Sequence, residues 1–178
     1  IAFTGEVNNI IITNNSFIDN YACGINLYSW GEYYDEVNIS NNFIKGSNRC
    51  AIRAIGNSFH IINNTINDIG LLENIGIDGF IDSYHAAIGI FLYPVDNSSI
   101  IKNKINNTGY NGIMFQGNNN LLEKNRIQST CKTLNDGGGI YSHLDGTGSV
   151  IRKNIISGCG VEGGWFDHGI YLDATAKG

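Results

Sequence analysis

An asparagine triplet that returns along the whole chain constrains the fold more than any other feature of this sequence. The triplet consists of Asn, any residue, then Ile or Phe, and a short apolar run precedes each copy. Successive copies are separated by 27, 22, 39, 22 and 29 residues, so the shortest period is 22 residues. A 22-residue unit is too short for a pair of packed helices and suits one coil of three short strands joined by turns. The triplets begin at Asn15, Asn42, Asn64, Asn103, Asn125 and Asn154.

A second element, a small residue followed by Ile, recurs once in each unit. Composition agrees with strands and turns, because the chain has 29 Ile and 26 Asn but only one Pro. Ile favours half-buried strands, and Asn tolerates tight turns. We therefore predict an all-β solenoid of about six coils, with the Asn side chains stacked in a hydrogen-bonded ladder. The copies of the second element are Gly24-Ile25, Ala51-Ile52, Gly89-Ile90, Gly112-Ile113, Gly139-Ile140 and Gly169-Ile170.

These two repeated elements resemble the right-handed parallel β-helix superfamily, which has the pectate-lyase-like fold. In that superfamily each coil has three strands, PB1, PB2 and PB3, and an asparagine ladder lies in the tight turn between PB2 and PB3. The resemblance implies that the small residue-Ile elements begin PB1, and that the turn called T3 leads from PB3 into PB1. Residues 1–178 are then a single β-helix domain. Because no amphipathic capping helix flanks the repeats, we expect a segment of a longer β-helix, whose remaining coils would be its neighbours.

Charge and hydropathy narrow the classes of partner. The net charge is −5 and no Lys/Arg cluster exists, which argues against nucleic acid. No apolar stretch reaches membrane-spanning length, so we expect no membrane partner. A carbohydrate fits this composition better and would place the protein outside the cell, secreted or at the cell surface. The cysteines have no zinc-ligand spacing, so buried thiols are expected, with a disulfide between neighbouring pairs as the alternative. They are Cys23, Cys50, Cys131 and Cys159.

Insertions in T3 predict a groove. From the ladder Asn to the PB1 Ile the lengths are 10, 10, 26, 10, 15 and 16 residues, so three coils have long T3 loops, at roughly 67–87, 129–138 and 158–168. Loops at equivalent points of neighbouring coils stack into a wall beside the PB1 strands. Concave surfaces flanked by loops are where functional sites usually lie. Decoration or an oligomer contact is the alternative interpretation.

Strand alternation predicts which PB1 residues face outward. The PB1 Ile points inward, so residues one and three places later point outward, and we call these the first and second outward files. The first file is Asn26, Arg53, Phe91, Met114, Tyr141 and Tyr171. The second file is Tyr28, Ile55, Tyr93, Gln116, His143 and Asp173. The last two coils therefore present a polar, titratable patch.

Two segments in this patch carry the functional hypothesis. Residues 135–141 (NDGGGIY) and 167–173 (DHGIYLD) resemble segments of β-helix glycoside hydrolases that act on plant polysaccharide side chains. The resemblance implies that Asp136 and Asp173 are the catalytic carboxylates. Glycoside cleavage needs one carboxylic acid to protonate the leaving oxygen and a second carboxylate as nucleophile or water activator. A separation of about 5 Å would give retention and about 6.5–9.5 Å inversion, and the sequence leaves both open.

Neighbouring residues are candidates for substrate binding. His143 is expected beside Asp173, where it would tune the charge or bind a sugar hydroxyl. Tyr141 and Tyr171 are either a stacking platform for a sugar ring or a simple aromatic ladder. Trp165 is a candidate lid on the last long T3 loop. The same loop adds Glu162, Asp167 and His168.

Two other functional classes stay open. A polysaccharide lyase or epimerase acting on uronic-acid polymers is the second hypothesis. Lyases of this fold usually use a Lys or Arg base, and Arg53 is the only basic residue in the outward files, three coils from the patch. Epimerases of the superfamily carry Asp-Pro-His, and Asp167-His168 lacks the Pro. A non-catalytic binding or structural segment is the third hypothesis. No cofactor is expected, and calcium in the loop 70–85 is a weak alternative, because the loop lacks the DxDxDG order.

Overall fold

Parallel strands form the part of the chain that the computed structural model describes, residues 7–28, 33–72, 86–161 and 164–173. The strands lie in a sheet of eleven strands and a sheet of six. Within each sheet, every strand pairing is parallel and joins neighbouring coils. A chain whose strands pair only with the coil before and the coil after is a β-helix.

The six-stranded sheet is PB3 and contains the residues that follow each ladder Asn. Its strands pair in chain order, so each coil stacks on the previous one. They are β2 (Ser16–Ile18), β5 (Phe43–Lys45), β7 (Thr65–Ile69), β10 (Lys104–Thr108), β13 (Arg126–Thr130) and β16 (Ile155–Cys159).

The larger sheet contains both PB1 and PB2, because one strand of the second coil, β6, runs through both without a break. The PB1 strands are β3 (Cys23–Leu27), the first part of β6 (Cys50–Ile62), β8 (Ile88–Asp96), β11 (Ile113–Phe115), β14 (Gly138–Ser142) and β17 (His168–Leu172). The PB2 strands are β1 (Val7–Thr13), β4 (Tyr34–Ser40), the second part of β6, β9 (Ser99–Ile101), β12 (Leu121–Glu123) and β15 (Val150–Arg152).

The asparagine ladder lies where the resemblance implied, between PB2 and PB3. From Asn15 to Asn125, the Nδ2 atom of each ladder Asn donates to the Oδ1 atom of the Asn in the next coil, at distances from 3.0 to 3.2 Å. The four inner members are buried: Asn42, Asn64, Asn103 and Asn125. Each of them also donates to a backbone carbonyl of a neighbouring coil. Buried polar groups need such partners, so the ladder fixes the register of the stack.

Left-handed backbone residues make the tight turn before the ladder. The residue that precedes each ladder Asn has φ between 56° and 58°. Three of these residues are Asn, which tolerates this conformation, and three are Lys, which the turn accepts without that advantage. They are Asn14, Asn41, Asn63, Lys102, Lys124 and Lys153.

The core lies inside the coil and consists of stacked aliphatic files. The inward file of PB1 is fully buried at Ile25, Ile52, Ile90, Ile113 and Ile140. The glycine before the Ile has a packing reason, because PB1 approaches PB3 closely there. A Cβ atom on Gly139 would lie 2.4 Å from Cγ2 of Ile156 and 2.9 Å from the carbonyl oxygen of Gly169. The small residue of the repeat therefore sets the distance between the two sheets.

The predicted fold class is confirmed in its strand order, its ladder and its stacked coils. Cys23 and Cys50 hold register-matched positions, and all four cysteines are free thiols. Cys50 and Cys131 are buried as expected, whereas Cys23 and Cys159 are half-buried. The described residues contain no helix long and apolar enough to span a lipid bilayer. That residues 1–178 are one domain of a longer β-helix stays a prediction.

Candidate active site

The two outward files of PB1 exist, but they differ in exposure. Strand register aligns the first file from Asn26 to Tyr171, coil by coil. Its middle is covered: Phe91, Met114 and Tyr141 are buried in a cluster with residues of the T3 turns. Every member of the second file is half-buried. The accessible line along the PB1 sheet is therefore the second file, with the first file and T3 at its side, which differs from the expected pair of open files.

Asp173 ends the second file, directly after β17. Its amide donates to the carbonyl oxygen of Ser142 at 3.0 Å, which continues the strand pairing and fixes its backbone. Its carboxylate accepts hydrogen bonds from two tyrosines. The Tyr141 hydroxyl donates to Oδ2 at 2.6 Å, and the Tyr171 hydroxyl lies 3.4 Å from Oδ1. Two hydroxyl donors orient this carboxylate and balance its negative charge.

Asp136 reaches the same place from the T3 loop before β14. It is exposed and has φ of 62°, a left-handed conformation that Asp tolerates better than most residues. Its amide donates to the carbonyl oxygen of Trp165 at 3.1 Å, and its carbonyl oxygen accepts from the Tyr110 hydroxyl at 2.7 Å. Three successive T3 turns are thus tied together around it. Its carboxylate lies close enough to Tyr171 to raise the pKa of that tyrosine.

The tyrosine hydroxyls stay protonated because of where they lie. Burial, followed by the hydrogen bond and charge of Asp173, raises the pKa of Tyr141 well above its ordinary value. Burial, followed by the charges of Asp136 and Asp173, also raises the pKa of Tyr171. A phenol whose pKa is raised remains a neutral donor across the pH range in which enzymes work. Both residues therefore act as fixed hydrogen-bond donors to carboxylates.

The two tyrosine rings form an aromatic ladder rather than a flat platform. Their centroids are 5.3 Å apart at an interplanar angle of 85°, an edge-to-face contact. Tyr141 is only 7% exposed, so almost none of its ring is available to a sugar. His168 places its ring 4.8 Å from that of Tyr171, again edge to face, and is itself exposed. Of the three rings, Tyr171 and His168 remain accessible beside the carboxylates.

The remaining candidates are spread around this centre. His143 is half-buried and precedes Asp173 by one coil in the second file. Trp165 is 72% exposed and joins the centre only through its backbone. Asp167 turns into its own loop, where its carboxylate lies against Gly160 and Gly164, and it faces Cys131. This position gives no support for the predicted role of Asp167 in substrate binding, and that role stays a prediction.

Tyr110 and Asn111 belong to the site although the sequence reasoning did not select them. Tyr110 holds the carbonyl of Asp136 and packs its ring 6.5 Å from that of Tyr141. Asn111 accepts a hydrogen bond from the amide of Gly138 at 2.6 Å. Both lie two or three places before a PB1 Ile, in T3 positions that the outward files omit. Reading those positions coil by coil as additional files would have found them.

The candidate metal-binding residues lie outside the described residues, and Arg53, the candidate base of a lyase, lies apart from the two carboxylates. Glu162, and the acidic residues of the candidate calcium loop, Glu73, Asp78 and Asp82, are outside the described residues. Within the described ranges, no group of three or more His, Cys, Asp or Glu could hold a metal ion. Arg53 is separated from Tyr141 by three strand pairings along the first file.

Comparison with known proteins agrees with this architecture. Residues 88–178 match the family described as the right-handed β-helix region, and the chain belongs to this family. The matched half includes both carboxylates and the tyrosines around them. No curated protein and no solved structure matches the chain. The β-helix is a fold found in carbohydrate-active enzymes.

Proposed function

We propose that the protein is a glycoside hydrolase that cleaves a polysaccharide or oligosaccharide with Asp136 and Asp173. One observation carries the proposal: the hydroxyls of Tyr141 and Tyr171 hold Asp173, and Asp136 comes close enough from the adjacent coil to act on the same two tyrosines. The pair lies at the end of the accessible second file, beside the long T3 loops. Paired carboxylates in a groove are what glycoside cleavage requires.

The distance between the two carboxylates decides the stereochemistry of the reaction. Retaining glycosidases have carboxylates about 5–5.5 Å apart, whereas inverting enzymes leave room for a water between them. We propose a retaining reaction, because two tyrosine hydroxyls orient Asp173 as a nucleophile.

The surroundings of the two carboxylates support different roles. Asp173 is held by two tyrosine hydroxyls, so its oxygens are oriented for attack on the anomeric carbon. Asp136 is exposed on a loop, where it can exchange a proton with the leaving oxygen and then with water. In the first step the glycosidic bond breaks as Asp173 bonds to the sugar and Asp136 protonates the leaving oxygen. In the second step Asp136 takes a proton from the water that releases Asp173.

A lyase is disfavoured by the position of Arg53, its only candidate base in the outward files. Three strand spacings of about 4.8 Å place that side chain roughly 14 Å along the sheet from Tyr141. A base and the groups that stabilise the carbanion must contact the same sugar, which this separation does not allow. With a polysaccharide as substrate, we also expect the protein to act outside the cell, and no cofactor takes part in the proposed reaction.

The test is a screen of plant and algal polysaccharides for release of reducing ends, with wild type, Asp173→Asn and Asp136→Asn compared on every active substrate. Each variant should lose about 10³-fold in kcat, because an amide neither attacks an anomeric carbon nor exchanges the required proton. Adding azide to Asp173→Ala should yield a glycosyl azide, since azide replaces the missing nucleophile.

Asp19→Asn is the matched control. Asp19 is exposed, lies in a T3 turn and has φ of 53°, close to that of Asp136, but it belongs to the first coil. It should keep full activity, and the melting temperatures of all three Asn variants should agree. The proposal fails if no polysaccharide is cleaved, if both site variants stay active, or if the products carry the unsaturated ends of a lyase reaction.

A further inference from the structure

A cation clamped between aromatic rings lies at the opposite end of the PB1 sheet. Cζ of Arg53 lies 3.8 Å from the ring centroid of Tyr28 and 5.7 Å from that of Phe91. Tyr28 and Arg53 are half-buried, and Phe91 is fully buried. The rings hold the guanidinium at one place through cation–π attraction, which orders a side chain that would otherwise be mobile.

No carboxylate of the described residues forms an ion pair with Arg53. Its charge acts there on the thiols of Cys23 and Cys50, whose pKa values it lowers. Its Nε atom is buried without a hydrogen-bond partner. A half-buried charge normally has a partner, because removing it from water is costly. The guanidinium therefore lacks a carboxylate partner among the described residues, and an anionic ligand would supply one.

We infer that Arg53 and Tyr28 form a binding subsite for an acidic sugar, one that carries a carboxylate or a sulfate ester. Guanidinium binds such planar or forked anions through two parallel hydrogen bonds. Tyr28 belongs to the accessible second file, the same line of surface that ends at Asp173. A sugar chain lying along that line would reach both ends of the sheet.

The two ends of the sheet bind different parts of one polysaccharide. This conclusion rests on the proposed function. Four strand pairings join Arg53 to Tyr171, which is roughly 19 Å at about 4.8 Å per coil. Asp136 and Asp173 repel an acidic sugar at their end, whereas Arg53 attracts one. The substrate class is then a heteropolysaccharide whose neutral linkage is cleaved while an acidic residue several sugars away is bound.

Binding is tested on immobilised polymers, with wild type compared with Arg53→Gln. The probes are galacturonan and carboxymethyl-dextran for carboxylate, dextran sulfate for sulfate, and dextran as the neutral polymer. The net charge of −5 disfavours unspecific retention on a polyanion, so retention reports a local cationic site. Wild type should be retained by an acidic polymer and not by dextran, and Arg53→Gln should bind about 10-fold more weakly, the loss expected for a charged hydrogen-bonded pair.

Arg126→Gln is the matched control, because Arg126 lies on PB3 and its loss changes the net charge equally. It should be retained as wild type is. The class of polymer that retains the protein identifies carboxylate or sulfate as the source of the anion. The subsite is overturned if no acidic polymer retains wild type, or if Arg53→Gln and wild type elute together.

Cys23 provides a readout that does not depend on catalysis. The charge of Arg53 is one of the effects that lower the pKa of the Cys23 thiol, after its hydrogen bond with Cys50. An anion bound to Arg53 should therefore raise the pH midpoint of Cys23 alkylation by iodoacetamide, and dextran should leave it unchanged. If an acidic polymer retains the protein but leaves the pH midpoint of Cys23 alkylation unchanged, the subsite is contradicted. Retention and a shifted midpoint without any hydrolysis would instead remove only the proposed enzyme activity.

Discussion

The two ends of the PB1 sheet share one backbone and carry opposite chemistry. The first coils present Cys23, Cys50 and Arg53, whereas the last coils present tyrosines and two carboxylates. Strand pairing is parallel and in register at both ends. The ladder continues beneath both, with Asn42 in the second coil and Asn125 in the fifth held in the same way.

The comparison shows where a solenoid allows variation. Inward files and the ladder repeat because each coil supports the next through identical contacts. Outward side chains lie outside the ladder and the inner core, so a coil can carry a different outward residue without disturbing either. We therefore expect function where the outward files depart from repetition, which they do at both ends of this sheet.

The largest expected difference between the two ends of the sheet is in the reactivity of their cysteine thiols. The hydrogen bond from Cys50, with the charges of Arg53 and Arg49, lowers the pKa of Cys23 to about 7. Burial, followed by the charge of Asp167, raises the pKa of Cys131 to about 12. At pH 7 iodoacetamide should modify Cys23 about 100-fold faster than Cys131, since only the thiolate reacts.

The measurement is mass spectrometry of peptides after timed alkylation from pH 5 to 9. The Cys23 rate should rise with pH and level off above a midpoint near 7, as its thiolate fraction does. That midpoint separates the pKa effect from differences in exposure, and Arg53→Gln should move it upward. Equal midpoints for Cys23 and Cys131 would mean that the two ends do not differ in electrostatic character.

The asparagine ladder should contribute equally to the stability of both ends of the sheet. Asn42→Leu and Asn125→Leu each remove a buried amide that bonds the next Asn and a backbone carbonyl. Each should lower the free energy of unfolding by about 2–3 kcal/mol, because the former partners lose their hydrogen bonds inside the stack. Urea denaturation followed by circular dichroism measures this. Values that differ by more than about 1 kcal/mol would show that the coils do not support the two ends alike.

The smallest effect concerns the tyrosine that positions Asp173. Tyr141→Phe removes a 2.6 Å hydrogen bond to its carboxylate and should lower kcat about 10-fold with little change in KM. Tyr21→Phe is the control, because Tyr21 is 75% exposed in the first coil. Assays on the substrate found in the screen decide the outcome. A loss confined to KM would place Tyr141 in substrate binding instead.

Apart from the site of Asp136 and Asp173, which stays a prediction, sequence reasoning reached the coils, the ladder and the register that places Tyr141 beside Tyr171. These follow from periodicity, because residues at equivalent points of a repeat must stack. It did not reach Tyr110, the covered middle of the first file or the inward turn of Asp167. Those depend on how T3 loops of unequal length pack on each other, and no repeat constrains that packing.

The sequence by itself determined that this chain winds into stacked coils, since each unit repeats the same Asn and Ile elements, which form a core of Ile closed by a hydrogen-bonded turn. Only the tertiary structure decided that two tyrosine hydroxyls hold Asp173 and that Arg53 lies between two rings. Those contacts join residues of different coils through side-chain rotamers and loop conformations, which short-range patterns in a sequence do not encode.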